Sequence, residues 1–163
     1  MHFAETLGWT ANLLPVVSNP NREISPDSKI KGLGKTPSQV NFRGQAAGLA
    51  KWTKTRATPR DIERWSEQPD HGICVQTGND QGGRAPIVIA FDIDVPDSAK
   101  SAVIRDALLT ALPFHSFPER YREGTGKTLL AFEVEPGEEL FKRIVPVDGG
   151  GVEMLALGQQ FIA

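Results

Sequence analysis

The amino-acid sequence predicts an α+β fold in which a mixed or antiparallel sheet is flanked by helices. Three observations lead to this class. The chain has 163 residues, of which 39% are hydrophobic and 23% charged, and this is typical of a globular domain with its own core. Two segments begin with residues that cap helices, and the residues after 127 are almost wholly strand-like. Runs of strands beside a few helices indicate α+β.

Near the N-terminus, apolar residues recur at nearly helical spacing, at Phe3, Leu7, Ala11 and Leu14. A helix is therefore expected over 3–14. Leu14–Val17 then predicts a short strand. Residues 19–45 are rich in proline, glycine, serine and asparagine, and this composition predicts a long loop. Long loops of this kind are usually functional or mobile.

Two helices are predicted from their first residues. Thr58 is a favourable N-cap and Pro59 fits the first helical turn, so a helix is expected from there to about Gln68. Asp97 is a favourable cap for a second helix over 98–112.

The remaining apolar segments predict strands, over 72–76, 86–94, 127–135, 140–145, 151–155 and 159–163. A glycine-rich turn is expected over 77–85. The 86–94 segment has the β-branched density of a buried strand. The whole chain, residues 1–163, is expected to form a single domain.

Charge is unevenly distributed along the chain, whose net charge is -2. From Lys29 to Arg64, nine basic residues stand against two acidic ones, a net of +7. From His71 to Ala163, eight basic residues stand against thirteen acidic ones, a net of −5. A basic region beside an acidic one suits an enzyme that holds phosphates and collects divalent cations. A solvated basic loop explains the same charge equally well.

Two features bear on the cellular compartment. No apolar run in the sequence approaches the length that spans a bilayer, so no membrane partner is expected. The single cysteine, Cys74, cannot form an internal disulfide and fits a reducing environment. We therefore expect a cytoplasmic protein.

The buried 86–94 strand ends in two acids. Asp92 and Asp94 are two residues apart, so both carboxylates emerge on the same face of a strand. Like charges at this position are costly to ionise, and a divalent cation removes that cost. The alternative is that Asp94 begins the next turn; the Asp-x-Asp tripeptide also occurs in glycosyltransferases and nucleases. Glu153, inside a short apolar strand, completes a three-carboxylate site, faces water at a sheet edge or pairs with an arginine.

Several motifs follow one another in a specific order: Leu14–Val16, Gly34–Pro37, Trp52, Ile62–Trp65, Gly72–Gly78, Ile89–Asp94, Arg120–Gly124, Lys127, Gly151–Leu155 and Gly158–Ala163. This ordered set resembles the N-terminal primase-polymerase domain of bifunctional phage and plasmid replication proteins, within the archaeo-eukaryotic primase superfamily. The match spans nearly the whole chain. Members of this family continue through a further strand and a histidine-containing segment, so we expect a domain shortened at its C-terminal end.

The resemblance implies a catalytic core related to the RNA-recognition fold. It also implies metal-dependent nucleotidyl transfer in DNA replication, by primer synthesis, DNA polymerisation or both. Asp92, Asp94 and Glu153 would be the catalytic carboxylates and the ligands of Mg²⁺ or Mn²⁺. The implied partners are a DNA template or primer, nucleoside triphosphates and a helicase domain or protein.

Basic residues are the candidates for nucleotide binding. The family's second motif often has Ser-x-His; here Lys127 stands in that region, without a histidine, and would bind phosphate together with Arg122. Lys35, in a Gly-Lys-Thr-Pro loop, is a candidate to approach phosphate or template backbone; the alternative is an ordinary solvated loop lysine. A P-loop is excluded because Tyr121 occupies the position of its first glycine. The alternative function is a shortened, non-catalytic primase-like module that binds nucleotide or nucleic acid.

Overall fold

The computed structural model describes residues 2–78, 86–112, 118–135 and 140–163, with most of the turn expected over 77–85 lying outside this part of the chain. The helices of the described residues are α1 (His2–Glu5), α2 (Pro59–Ser66) and α3 (Ser98–Ala111), with short 3-10 helices at Thr10–Asn12 and Trp52–Lys54. The strands are β1 (Leu13–Val17), β2 (Ser38–Val40), β3 (Ala46–Gly48), β4 (His71–Gln76), β5 (Ile87–Asp94), β6 (Glu119–Tyr121), β7 (Thr128–Val134), β8 (Arg143–Val147), β9 (Gly150–Leu155) and β10 (Gln160–Ile162).

Neighbouring strands in the described residues pair antiparallel throughout. This confirms the α+β class with a mostly antiparallel arrangement. No helix in the described ranges has the length and apolar composition needed to cross a membrane.

The chain divides into two compact units. The first comprises Met1–Gln76 with Gln160–Ala163, and the second comprises Thr77–Gln159. The first unit thus includes β10, from the end of the chain. Because the chain leaves this unit and returns to it, a single linker segment in the sequence does not separate the two units. The expectation of a single domain over 1–163 stays a prediction.

The first unit contains a three-stranded sheet in the order β1-β4-β10 and the β2-β3 hairpin. Leu14, Val16 and Cys74 form its buried cluster, against which Trp52 and Ile162 pack. Helix α2 begins as its sequence predicts. The hydroxyl of Thr58 accepts a hydrogen bond from the Asp61 N–H, and the Asp61 carboxylate accepts one from the Thr58 N–H.

Two expectations for the first unit were wrong in part. The helix expected over 3–14 is limited to His2–Glu5 and a later 3-10 turn, because Gly8 takes a left-handed conformation (φ 71°) and β1 already begins at Leu13. The loop expected over 19–45 contains a strand, β2, that pairs with β3. Three-residue strands of this kind have no hydrophobic pattern of their own.

The second unit is a five-stranded sheet in the order β6-β7-β5-β9-β8, with α3 packed on one face. Ile89 and Ile93 of β5 point to that face and pack with the α3 side chains Ile104 and Leu108. Helix α3 begins at the predicted cap, where the Asp97 carboxylate accepts hydrogen bonds from the N–H groups of Ala99 and Lys100. The opposite face of this sheet carries the candidate site.

Candidate functional site

Sheet register brings the three predicted carboxylates onto one face. Asp92 of β5 lies directly opposite Glu153 of β9, and Asp94 lies opposite Gly151. Opposite residues in antiparallel strands share a face, with Cβ atoms about 4.5–5.5 Å apart. We call the sheet face that carries Asp92, Asp94 and Glu153 the acidic face; it is the face away from α3.

The electrostatics of Asp92 reflect this crowding. Burial raises the pKa of the half-buried Asp92 carboxyl, and the neighbouring charges of Asp94 and Glu153 raise it further. The nearby cations Arg120 and Lys127 act in the opposite direction and lower that pKa. Ionising Asp92 therefore remains costly even with these two cations nearby.

The other two carboxylates each hold a lysine. Asp94 is paired with Lys127, and the Nζ of Lys142 lies 2.5 Å from Oε1 of Glu153. Lys142 immediately precedes β8, which pairs with β9. In this arrangement the described residues offer no group of three or more histidine, cysteine, aspartate or glutamate side chains placed to hold one metal ion. A cation at the acidic face would therefore compete with two ammonium groups.

The donor chemistry of the acidic face nevertheless fits a hard divalent cation. Mg²⁺ and Mn²⁺ prefer carboxylate oxygens, and three carboxylates on one sheet face supply them. Burial, and to a smaller extent the charges of Asp94 and Glu153, raise the pKa of Asp92, and a bound cation would offset both effects. Asp92, Asp94 and Glu153 are the residues that would hold such an ion.

A cleft of about 440 Å³ opens beside the carboxylates of β5. Three acids and three cationic residues are among its lining residues: Asp92, Asp94, Arg120, Tyr121, Arg122, Glu123, Lys127, Thr128 and Leu129. Negative and positive groups facing one cavity suit a ligand that carries both phosphates and bound cations.

The turn between β6 and β7 positions the predicted cations. The N–H of Arg122 donates to the Lys127 carbonyl (3.1 Å), and the Thr125 N–H donates to the Arg122 carbonyl (3.2 Å). Gly124 has a φ of 73°, a conformation that glycine adopts readily. Arg122 and Lys127 therefore lie side by side at the closed end of a hairpin, and both line the cleft.

Two glycines hold the end of β5 against its neighbours. A Cβ atom on Gly126 would lie 2.6 Å from the Val95 carbonyl oxygen, and one on Gly150 would overlap the Asp94 carbonyl oxygen. The Gly126 N–H also donates to the Pro96 carbonyl (3.2 Å). The backbone after Asp94 consequently lies in close contact with Gly126 and Gly150, and neither position has room for a larger residue.

Arg120 is a site residue that the sequence analysis did not select. It lies opposite Leu129 on β7, and Leu129 lies opposite Asp92 on β5, so Arg120 shares the acidic face. Its charge lowers the Asp92 pKa more than that of Lys127. The spacing of Arg120 and Arg122, two residues apart, was the available signal, but strand β6 was not predicted.

Lys35, the third predicted phosphate ligand, lies in the first unit. Its side chain is exposed, and its carbonyl oxygen accepts a hydrogen bond from Nε2 of Gln160 (2.9 Å). The preceding Gly34 has a φ of 68°. A role for Lys35 in binding phosphate stays a prediction.

The acidic face and its cleft thus contain five of the six predicted site residues, together with the unpredicted Arg120 and Lys142. Comparison with models of known protein families, with curated proteins and with solved structures finds no match to this chain.

Proposed function

We propose that this protein is a metal-dependent nucleotidyl transferase of the primase-polymerase kind, acting in DNA replication. The main support for this function is that Asp92 lies opposite Glu153, with Asp94 two residues along the same strand. The cationic residues of the adjoining cleft offer partners for a triphosphate. Carboxylates next to phosphate-binding cations are what transfer of a nucleotide requires.

Each residue has a distinct part in the proposed reaction. Asp92, Asp94 and Glu153 would hold two Mg²⁺ or Mn²⁺ ions, which when bound stabilise charge on the attacking and leaving oxygens. Arg122 and Lys127 would bind and orient the triphosphate through charge-assisted hydrogen bonds.

Other groups of the chain would assist. The Arg120 guanidinium favours the ionised form of Asp92, as its effect on that pKa indicates. Exposed basic residues of the 29–64 segment would bind the template or primer. A helicase domain or protein is the expected partner in replication.

Primer extension tests the function directly. Labelled primer–template and template alone are incubated with the four deoxynucleoside or four ribonucleoside triphosphates, in Mn²⁺ and in Mg²⁺. The wild-type protein is expected to extend or make primers, and Asp92→Asn and Glu153→Gln to lose about 100-fold or more of that rate. Asp106→Asn, an exposed acid on α3, is the matched control and should keep full activity. Wild-type protein that incorporates no nucleotide with either metal would contradict the proposal.

A second function, nucleotide or nucleic-acid binding without turnover, is favoured by a different observation. Asp94 and Glu153 are each neutralised by a lysine, and this gives a charge-balanced site that needs no cation. Titration with a fluorescent nucleoside triphosphate distinguishes the two functions. The binding module is supported by two results together: the double variant Lys127→Ala with Arg122→Ala loses nucleotide binding, and the wild-type protein incorporates no nucleotide. If the double variant binds the nucleotide with unchanged affinity, Lys127 and Arg122 are ordinary surface charges and do not bind nucleotide.

A further inference from the structure

The tip of the β2-β3 hairpin holds a phenylalanine in water. Residues 41–45 connect the two strands, and we call them the Phe42 tip. Phe42 is 92% exposed, the highest fraction among the large hydrophobic residues that the structure describes as exposed. Single exposed hydrophobics are common on protein surfaces, so the exposure alone indicates nothing. Its setting is the informative part.

The Phe42 tip is a rigid turn. The Asn41 side-chain oxygen accepts hydrogen bonds from the N–H groups of Arg43 (2.9 Å) and Gln45 (3.0 Å). The Asn41 N–H donates to the Gln45 carbonyl (2.8 Å), and the Gly44 N–H donates to the Asn41 carbonyl (2.9 Å). With Gly44 at a φ of 76°, four hydrogen bonds hold the turn. The backbone that carries Phe42 is thus ordered before any ligand arrives.

Residues 22 and 23 anchor the same turn through hydrogen bonds. Nη1 of Arg22 donates to the Gly44 carbonyl (3.0 Å), and Arg22 is itself paired with Asp70. The Ala46 N–H, at the start of β3, donates to the Glu23 carbonyl (2.8 Å). The turn therefore cannot fold back to cover the ring without losing these contacts, although burying a phenylalanine is worth about 1.5–3 kcal/mol.

A cation accompanies the exposed ring. The Arg43 guanidinium carbon lies 5.3 Å from the Phe42 ring centroid, within cation–π range. One ring face is left for a planar ligand, and the adjoining guanidinium can reach a phosphate. An aromatic ring beside an arginine is the unit with which proteins stack and hold bases of single strands.

Basic side chains continue from the Phe42 tip along the same unit. Ile30 would be within 3.0 Å of a Cβ on Gly48, so the flanking Lys29 and Lys31 lie beside β3 of the hairpin. Both lysines are exposed. Residues 22–48 contain five basic residues and two acids, Glu23 and Asp27, a net charge of +3. Such a surface is complementary to a phosphate backbone.

We propose that the Phe42 tip is a stacking site for one base of a single-stranded nucleic acid, with Arg43 and the neighbouring lysines on its phosphates. An anionic membrane fits less well, because one ring buries little of the apolar area that interfacial binding needs. This site refines the template or primer binding proposed for the 29–64 segment, and it requires neither the acidic face nor a metal ion.

Fluorescence anisotropy with a labelled 20-nucleotide oligothymidylate, in EDTA, tests the site. Phe42→Ala is expected to weaken binding about 5- to 100-fold, the range for loss of one stacked base, whereas Phe42→Trp should retain it. Arg43→Gln should reduce the slope of log affinity against log salt by about 0.7, one phosphate contact of a single strand. Phe141→Ala, which removes an exposed ring from the second unit, is the matched control and should bind as wild type.

The remaining arms identify the ligand. A duplex of equal length should bind more weakly than the single strand and lose little in Phe42→Ala, because its bases are already stacked. Oligouridylate in place of oligothymidylate shows whether RNA or DNA is preferred, and the loss in Phe42→Ala should appear with the preferred strand. Because all these measurements are made in EDTA, no metal ion is present at the acidic face, and this separates the site from the proposed catalysis.

Four outcomes would overturn the proposal: no binding of either oligonucleotide by wild type, equal affinity of Phe42→Ala and wild type, equal losses for strand and duplex, or a requirement for Phe42 only with phosphatidylserine vesicles. Circular dichroism spectra of the variants should superimpose on that of wild type, since Phe42 is exposed.

Discussion

Removing the charge of Asp92 should stabilise the metal-free protein. The carboxylate is half-buried and lies directly opposite Glu153, with Asp94 two residues along the strand. Two unit charges about 6 Å apart repel by about 0.7 kcal/mol at the dielectric constant of water and about 3 kcal/mol at an effective constant of 20. Because Arg120 and Lys127 offset part of this repulsion, we expect Asp92→Asn to raise the free energy of unfolding by about 0.5–1.5 kcal/mol.

The sign of the pH dependence follows from the raised Asp92 pKa. A carboxyl whose pKa is higher in the folded than in the unfolded state binds more protons when folded, so its contribution to stability falls as pH rises. The fall begins near the unfolded pKa, about 3.9, and is complete above the raised folded pKa. Wild type and Asp92→Asn should therefore be similar in stability at low pH and diverge as pH increases to neutrality.

Thermal unfolding in EDTA, from about pH 3.5 to 7.5, provides the measurement. At neutral pH the melting temperature of Asp92→Asn should exceed that of wild type by about 1–5 °C, the shift expected for this free energy in a chain of this size. Asp106→Asn is the control for loss of an exposed charge, and it should not be more stable than wild type because it loses its ion pair with Arg105. Single substitution at Asp92 is preferable to changing Asp94 as well, because Asp94 has an ion pair to lose. A variant less stable than wild type at neutral pH would refute the reasoning, since Asp92 would then anchor the fold.

Three further results are expected. Gly126→Ala should lower the free energy of unfolding in urea by about 1–3 kcal/mol because its methyl group meets a backbone carbonyl at 2.6 Å. Gly32→Ala should change little, because its methyl group would meet no atom of another described part of the chain within 4 Å. Arg120→Gln should raise the Asp92 pKa, measured by carboxyl ¹³C titration; an unchanged titration would place the guanidinium elsewhere. Burial raises the pKa of Cys74 to about 12, so this thiol should resist alkylation at pH 8 until the protein unfolds, and rapid native alkylation would contradict its burial.

Local chemistry accounts for the elements that could be predicted. Thr58 and Asp97 cap their helices through the hydrogen bonds that their residue types favour. The strand ending at Asp94 was predicted because eight consecutive residues have the composition of a buried strand. In each case a few neighbouring residues contain the whole signal.

Elements that depend on distant partners could not be predicted. Strands β2, β3 and β6 have three residues each, and they exist because another strand supplies their hydrogen bonds. The missed β6 explains the missed Arg120, whose side chain reaches the acidic face only through the register of two successive pairings. The alternation of side chains along a strand predicted that Asp92 and Asp94 share a face. No local sequence pattern indicates that Glu153 lies opposite Asp92 rather than one residue away.

The ion pairs of the acidic face give the lysines two uses in the proposed function. Without a cation, Lys127 and Lys142 compensate Asp94 and Glu153, while Arg120 offsets part of the cost of ionising Asp92. Each of these three carboxylates thus has a cationic group beside it, so the protein can keep the three acids together without a bound ion. Once the carboxylates are neutralised by divalent ions, the ammonium group of Lys127 would be released beside the cleft that it lines, where phosphate oxygens would replace its carboxylate partner. The same residue would thus stabilise the empty site and bind the substrate, because both partners are oxyanions.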